Sequence, residues 1–357
     1  MVNLLFMFYG SYITSPKMYS LFYTVCSCAA LMTMLSGTLF ALVSAGVLGM
    51  WVGMEVNFLG AVCFMSGVYV EEGESVMKYL IVQVVGSCFL LLSFLMLVYH
   101  QFPFMVEVFI ILGLCMKLGI FPFHFWVASV MSSLSWFSCF VVSVIQKVAP
   151  LWLLSNLMLS QSLVGGMEML AVLTSLVGCL GGLGMLNYRA LMGYSSLVHL
   201  GFLVILCLAG LNLFWSYLLI YGILNCGLMF GLWSLGIYCY SDLLQDGGYL
   251  DYIKLWWVSL YFFSLSGIPP FTGIFLKVYF LVNCWTFAPL GCILCFASSA
   301  VSMYFYFSVL MEMLIYWGKS VQMGWNWEWD SGVSSVVFSS VFINLIISYP
   351  VFLLSGM

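Results

Sequence analysis

The chain has 357 residues, of which 65% are hydrophobic and 6% are charged, and its net charge is −4. Its mean hydropathy is +1.17. Soluble globular proteins carry about 25% charged residues, so this composition excludes a soluble protein and shows no basic patch for nucleic acid. The apolar runs are continuous rather than alternating, which excludes a transmembrane β-barrel. The sequence therefore predicts an all-α polytopic membrane protein.

Long apolar runs predict the transmembrane helices. At about 20 apolar residues per crossing, the chain has room for about eleven spans. Two spans are discontinuous, because Pro122 interrupts one and Pro269-Pro270 another. An odd number of spans places the termini on opposite faces. The spans are expected at residues 18–38, 41–68, 77–99, 104–121 with a broken continuation to about 133, 135–158, 166–186, 190–211, 213–239, 255–283 with a break, 288–316 and 334–355.

The basic residues support this count, because lysine and arginine collect in the loops of the inner face. If the spans alternate, the even-numbered connections lie on the face of the N-terminus. That face receives five basic residues, and the loops of the other face receive none. We therefore expect the N-terminus inside and the C-terminus outside. The five residues are Lys17, Lys78, Arg189, Lys254 and Lys319.

Four ionisable residues lie deep in the predicted spans, namely Glu55, Lys117, Lys147 and Lys277. A charge at this depth costs roughly 2.5–3.5 kcal/mol on insertion scales, and a helix break frees carbonyls that protein or water must satisfy. One carboxylate cannot neutralise three amines, so an ion pair accounts for Glu55 and one lysine at most. If Glu55 lies against Lys117, the protonation of the amine depends on the distance between them. The set predicts a proton pathway, and the alternatives are snorkelling lysines or a structural ion pair.

Two histidines are further candidates for proton transfer. His199 lies about two turns into the seventh predicted span and can pass a proton near neutral pH, although a hydrogen-bonded core histidine fits equally well. His124 follows the first break, where it either transfers protons or anchors the turn. The two interrupted spans also resemble each other, because each carries a lysine near its prolines, Lys117 in one and Lys277 in the other. Such a pair is typical of inverted-repeat transporters.

No redox active site is expected in this chain. The sequence has no phosphate-binding loop and no dinucleotide fingerprint. The 13 cysteines lie scattered through apolar runs, which is typical of small core residues rather than of metal ligands or a disulfide framework. Residues 1–16 have no basic segment, so we expect no cleavable signal or transit peptide.

Seven motifs, in this order and spacing, resemble the subunit 2 family of mitochondrial NADH:ubiquinone oxidoreductase, respiratory complex I. The family is an antiporter-like component of the membrane arm. The resemblance implies an antiporter-like fold that lacks three N-terminal helices found in bacterial relatives. The motifs are W-V-G-M-E-V-N (51–57), E-S-V-M-K-Y-L-I-V-Q (74–83), M-K-L-G-I-F-P-F-H-F-W (116–126), L-S-W-F (134–137), Q-K-V-A-P-L (146–151), M-G-Y-S-S-L-V-H-L-G (192–201) and L-S-G-I-P-P-F-T-G-I-F-L-K (265–277).

The expected organisation is a single transmembrane domain, 1–357. Its first broken-helix half covers about 41–158, its second half about 166–316, and a C-terminal helix about 334–355. One position departs from the family pattern, because Ala190 stands where a second basic residue usually follows Arg189.

The resemblance also implies residue roles. Glu55 and Lys117 are similar to the glutamate–lysine pair of the family, Lys147 to its central lysine and Lys277 to its terminal lysine. The family couples electron transfer from NADH to ubiquinone to proton translocation across the inner mitochondrial membrane, which would place the N-terminus in the matrix. The NADH, FMN, iron–sulfur and ubiquinone sites would belong to other subunits, so no cofactor is expected in this chain.

The expected partners are other membrane-arm subunits of complex I and the lipid bilayer, and not nucleic acid. A membrane subunit of a cation/proton antiporter is the alternative, because it shares the broken helices and the lysines. The shortened N-terminus and the subunit 2 motifs favour complex I. A membrane scaffold that no longer pumps protons is a third interpretation.

Overall fold

The computed structural model is helical throughout the residues that it describes, apart from one isolated β-bridge between Asn187 and Cys239. This agrees with the predicted all-α fold class. The described residues are 16–67, 70–99, 103–157, 159–210, 213–245, 252–269, 271–322 and 344, with side chains for all of these except 16–24, 243–245, 252–253 and 316–322.

Fourteen α-helices and one π-helical segment, Val141–Ile145, make up the described fold. The α-helices are α1 Pro16–Val43, α2 Val47–Met65, α3 Val70–Val98, α4 Pro103–Leu118, α5 Phe125–Met131, α6 Trp136–Phe140, α7 Gln146–Asn156, α8 Gln161–Gly181, α9 Tyr188–Ala209, α10 Leu213–Leu235, α11 Tyr240–Gln245, α12 Tyr252–Ser266, α13 Thr272–Cys284 and α14 Pro289–Gln322.

Eight spans within the described chain are long and apolar enough to cross a membrane unbroken. They coincide with the predicted first three spans, the fifth to eighth and the tenth. The predicted fourth and ninth spans are each divided into two shorter helices, as the prolines indicated. The predicted eleventh span, 334–355, lies outside the described residues except for Asn344. The grouping of these spans into two halves stays a prediction.

The first break lies between α4 and α5. Gly119 has a φ of +79°, which side-chain-bearing residues rarely adopt, and a Cβ added there would lie 2.5 Å from Val127 Cγ2. Pro122 follows in the turn, where it has no helical N–H to provide. Glycine and proline together therefore end α4 one residue after Lys117.

The second break lies between α12 and α13. Gly267 has a φ of +78°, and a Cβ added there would lie 2.8 Å from Lys277 Nζ. Thr272 begins α13, and its hydroxyl donates to Asn344 Oδ1 at 3.3 Å. One residue of the predicted last span therefore contacts the second break.

Three connections between helices meet at one end of the molecule. Tyr188 N donates to Tyr238 O at 3.0 Å, which joins the α8–α9 connection to the α10–α11 connection. Arg189 Nη1 donates to Leu134 O at 2.7 Å, which adds the α5–α6 connection. These are the fourth, sixth and eighth connections of the predicted topology. The expectation that even-numbered connections share a face is confirmed for these three.

Carboxylates join helices at the opposite end. Glu107, near the start of α4, accepts hydrogen bonds from the main-chain N–H and the hydroxyl of Ser160, which precedes α8. Glu168 accepts one from Gly291 N in the first turn of α14, at 3.2 Å. Both carboxylates satisfy free N–H groups at a helix N-terminus, where negative charge is favourable. They therefore act as structural caps in this fold.

Candidate functional site

An ion pair joins α2 to α4, as the sequence predicts. Lys117 Nζ donates to Glu55 Oε1 at 2.8 Å. The lysine side chain is 3% exposed and the glutamate side chain 22% exposed. The amine therefore faces the interior of the chain, and the carboxylate lies at its flank.

Glycines hold the helices of this pair close to their neighbours. A Cβ on Gly53 would lie 2.5 Å from Ala41 N, so α2 packs directly against the backbone of α1. A Cβ on Gly113 would lie 2.6 Å from Leu90 Cγ and 3.0 Å from Gly86 O, so α4 also packs close to the backbone of α3. Gly113 precedes Lys117 by one helical turn. Close backbone packing therefore fixes both members of the pair.

A small cavity lies beside Lys117. Its volume is about 10 Å³, which is close to the smallest space that can hold one water molecule. Gln83 Nε2 donates to Lys117 O at 3.1 Å and so satisfies a carbonyl that the end of α4 leaves without a helical partner. The cavity is lined by Met54, Asn57, Phe58, Gln83, Lys117, Gln146 and Pro150.

A chain of hydrogen bonds leads from this cavity to the next helix. Tyr79 Oη donates to Gln146 Oε1 at 3.1 Å, and Gln146 Nε2 donates to Asn57 Oδ1 at 3.0 Å. Asn57 follows Glu55 by two residues on α2, and Gln146 immediately precedes Lys147 on α7. These hydrogen bonds therefore connect the helix of Glu55 to the helix of the second buried lysine, Lys147.

Lys147 directly follows the first residue of α7, after the π-helical segment. Pro150 lies inside α7 and has no N–H, so it leaves the carbonyl of Gln146 without its helical partner. We attribute the π-helical segment to this proline, since such segments form where the regular series of helical hydrogen bonds is interrupted. Lys147 is 4% exposed, and its Nζ donates to Ser196 O of α9 at 2.8 Å.

His199 lies on α9, one turn beyond Ser196. This helix is buried on nearly all sides, and its few polar residues, Ser195, Ser196 and His199 among them, are buried with it. His199 Nδ1 shares a hydrogen bond of 2.8 Å with Tyr217 Oη. Lys147 contacts α9 one turn before His199, and Phe202, one turn after it, packs against Phe280 of α13 with ring centroids 4.5 Å apart. The histidine therefore lies between the contact of α9 with Lys147 and its contact with the helix of Lys277.

Lys277 lies on α13, and its Nζ donates to Ser266 O at 2.7 Å. Ser266 is the last residue of α12, where free carbonyls form the negative end of the helix dipole and attract a cation. Gly267 permits this contact because its missing side chain leaves room for the amine. The broken helix therefore supplies the acceptor for the lysine of its own second half.

His124 does not join this row. Its ring lies between the rings of Phe121 and Phe125, with centroid distances of 5.9 and 4.0 Å. Among the described residues its Nδ1 has no hydrogen-bond partner, and no described contact joins it to Lys117. The geometry favours anchoring of the first break, and proton transfer by His124 stays a prediction.

The acceptors of the two later lysines suit both the charged and the neutral form of an amine. Within the part of the chain that the structure describes, Lys147 and Lys277 donate to main-chain carbonyls and have no carboxylate in ion-pair contact. A neutral amine can still donate to a carbonyl, so loss of a proton leaves no unpaired anion. The order along the row is Glu55, Lys117, Lys147, His199 and Lys277.

The sequence did not single out Tyr79, Asn57 or Gln83 as parts of the site. A signal was present, because amides are rare within predicted spans and need a partner there. Gln146 and Ser143 both lie within one helical turn of Lys147 in the sequence. Gln146 bridges two helices, whereas the hydroxyl of Ser143 donates only to Phe140 O at 3.2 Å.

The interpretation of the cysteines as scattered core residues assumed that none forms a C-x-x-C pair, and this is wrong. Cys292 and Cys295 form a C-x-x-C pair on α14, and both are buried free thiols. Cys295 Sγ lies 3.5 Å from Ser175 Oγ. Among the described residues no group of three potential metal ligands lies close enough to hold a metal ion.

Comparisons with known proteins identify the family. Residues 44–303 match the family model described as NADH:quinone oxidoreductase/Mrp antiporter, TM. The NADH-ubiquinone oxidoreductase chain 2 of Anopheles gambiae is 29% identical over 328 residues, which cover 88% of this chain and 94% of that protein. The protein of the same name from Myxine glutinosa is 30% identical over 331 residues, covering 88% and 93%. The chain belongs to the chain 2 branch of this family.

The fold of the family is also found among solved structures. A chain of respiratory complex I from Thermus thermophilus superposes with a TM-score of 0.74 at 20% identity. The match covers 89% of this chain and 77% of that one. The predicted antiporter-like fold is therefore confirmed.

Proposed function

We propose that this chain translocates protons as a core membrane subunit of respiratory complex I, driven by electron transfer from NADH to ubiquinone in the rest of the complex. Membership of the chain 2 family makes it a core membrane subunit of that complex. The observation that carries the transport role is the buried row. Lys117 lines a small cavity, Gln146 bridges α2 to the helix of Lys147, and His199 lies on α9 between its contacts with Lys147 and with the helix of Lys277.

The Glu55–Lys117 pair is the proposed switch at the start of the row. A carboxylate at 2.8 Å favours the charged form of the amine. If Glu55 moves away or is neutralised, Lys117 loses its counter-charge and releases a proton toward the cavity. Gln146 and one bound water could then pass the proton toward Lys147. Lys147, His199 and Lys277 would carry charge onward in the same way.

The exposure of Glu55 also indicates where a neighbouring subunit would act on the ion pair. Its side chain is 22% exposed at the flank of the isolated chain, and a carboxylate facing hydrocarbon at this depth is unfavourable. A neighbouring membrane-arm subunit that covers this flank with polar groups would remove the penalty. A displacement in that neighbour would then change the Glu55–Lys117 distance.

The remaining assignments follow from the same role. We assign the sites for NADH, FMN, iron–sulfur clusters and ubiquinone to other subunits. We place the chain in the inner mitochondrial membrane with its N-terminus in the matrix. Five basic residues on one predicted face support that orientation. Contacts among three even-numbered connections support the alternation of spans on which the orientation is based. We expect contacts with lipid and none with nucleic acid.

A membrane subunit of a cation/proton antiporter remains the alternative, since the matching family model includes Mrp antiporters. The two differ in their driving force. Purification of the chain with iron–sulfur subunits, and pumping that requires NADH, support complex I. Transport by the chain without NADH, driven by a sodium gradient, would support the antiporter.

The transport role is tested by replacing Lys147 with methionine, which keeps the length of the side chain and removes its charge. The complex carrying Lys147→Met is reconstituted in proteoliposomes, and protons moved per NADH are measured. We expect normal assembly and a loss of pumping. Lys78→Met is the matched control, because Lys78 is exposed on α3 and outside the row. Unchanged pumping in Lys147→Met with normal assembly would support the scaffold instead.

A further inference from the structure

A group of polar side chains lies beside His199 but outside the row. Tyr221 and Asn225 belong to α10, and Tyr306 belongs to α14. Asn225 is 0% exposed, and the two tyrosines are 1% exposed. The rings of Tyr221 and His199 lie 4.6 Å apart between centroids. The group therefore contacts the histidine that lies between two lysines.

These side chains lack partners. Within the described residues, Tyr221 Oη, Tyr306 Oη and both polar atoms of Asn225 make no hydrogen bond. The amide of Asn225 faces Tyr221, and Ser195 faces Tyr306, but neither pair meets hydrogen-bond geometry. Buried polar groups without partners are unfavourable and rare in native proteins. Ordered water commonly bridges groups that are near each other but do not touch.

The group lies on one side of His199. Ser195 precedes His199 by one turn on α9, and Asn225 follows Tyr221 by one turn on α10. The two helices are antiparallel, since the start of α9 contacts the residues that follow α10 through the Tyr188–Tyr238 bond. Both steps therefore lead toward the same end of the bundle. That end carries the even-numbered connections, which share the face of the N-terminus in the predicted topology.

We propose that Ser195, Tyr221, Asn225 and Tyr306 bind a small cluster of water, and that this water carries protons between His199 and the N-terminal face. The ligand is water, held by two unpartnered tyrosine hydroxyls, one amide and the hydroxyl of Ser195, which donates to Met192 O at 2.8 Å and can still accept. Each water accepts one proton and releases another to the next oxygen or to the imidazole, so no charge stays behind. The inference rests on the proposed proton translocation and adds a branch that leaves the row at its histidine.

Asn225→Leu tests the proposal because it nearly keeps the side-chain volume and removes both unpartnered atoms. If no water is bound there, removal of an unsatisfied amide leaves the complex equally or more stable and pumping unchanged. We expect instead that the complex assembles normally and that NADH-driven pumping falls about fivefold, as for the loss of one hydrogen bond in the path. Tyr306→Phe should give a similar loss. Tyr304→Phe is the matched control, because Tyr304 is 69% exposed on the same helix.

Unchanged pumping in both Asn225→Leu and Tyr306→Phe would overturn the proposal. If Asn225→Leu does not assemble, a density map of the unmodified complex decides. Water within about 3.2 Å of the Asn225 amide supports the site, and a dry amide at a resolution that shows water elsewhere refutes it. Lys147→Met separates the two claims. If that variant stops pumping while Asn225→Leu pumps normally, only the branch fails; normal pumping in both removes the proposed function as well.

Discussion

Glu55 and Lys117 form an ion pair whose two ends have different surroundings. Their side chains are 2.8 Å apart, with the amine 3% exposed and the carboxylate 22% exposed. The carboxylate can therefore be reached from outside the chain, while the amine communicates only with the interior. In the proposed function, this arrangement is what would let an event beside the chain change the protonation of Lys117.

Neutralising Glu55 should uncouple proton pumping from NADH oxidation. Glu55→Gln keeps the shape of the side chain and leaves the Lys117 ammonium without a counter-charge. Loss of one partner of a fully buried pair costs about 3–5 kcal/mol, and the partial exposure of Glu55 places this pair at the lower end. We expect assembly to persist and pumping to fall at least tenfold, measured as protons moved per NADH. Normal turnover with normal proton stoichiometry would remove the proposed switch.

Gln146 should matter for transfer rather than for assembly. Gln146→Leu breaks two hydrogen bonds, to Tyr79 and to Asn57, each worth about 1 kcal/mol. We expect pumping to slow by about tenfold, and Tyr79→Phe to have a smaller effect because it removes one bond and keeps its ring contacts. The exposed Asn156 on α7 supplies the control, Asn156→Leu. Equal pumping rates in all three variants would contradict the bridging role.

Gly53 should be needed for assembly. In Gly53→Val the Cβ would meet Ala41 N at 2.5 Å, so α1 and α2 must separate. Overpacking of this kind costs about 1–3 kcal/mol, and we expect a smaller amount of assembled complex on native gels. Gly165→Val is the control, since a Cβ on Gly165 meets no atom within 4 Å. An equal loss in both variants would show that helix propensity, rather than close packing, is responsible.

Arg189 should stabilise one face without taking part in transport. Its guanidinium donates to Leu134 O at 2.7 Å and lies 4.6 Å from the centroid of the Tyr238 ring. Lysine cannot reproduce this planar contact, so Arg189→Lys should lower stability by about 1–2 kcal/mol. The check is thermal inactivation of the complex beside pumping at low temperature. We expect faster inactivation and an unchanged number of protons per NADH; a changed proton count would place Arg189 in the pathway.

The positions of the helices and breaks could be predicted because their causes are local. Long apolar runs determine the spans, and Pro122 and the Pro269-Pro270 pair determine the two breaks. The contact between Glu55 and Lys117 was also predictable, since a buried carboxylate and a buried amine stabilise each other.

The rest depends on packing between distant segments. Tyr79 and Gln146 are 67 positions apart, and Gln146 and Asn57 are 89 apart. No local spacing in the sequence therefore predicts these two hydrogen bonds. The π-helical segment before Lys147 also escaped prediction, because a proline inside a helix can bend, break or widen it. The unpartnered state of Asn225 becomes visible only when its neighbours are in place.

The most direct test of the transport account is a density map of the assembled complex at a resolution that shows water. The account predicts ordered water or polar side chains at hydrogen-bond distance along the whole path from Lys117, past Gln146 and His199, to Lys277. Dry apolar packing between Lys117 and Lys147, or amines turned toward lipid, would contradict it.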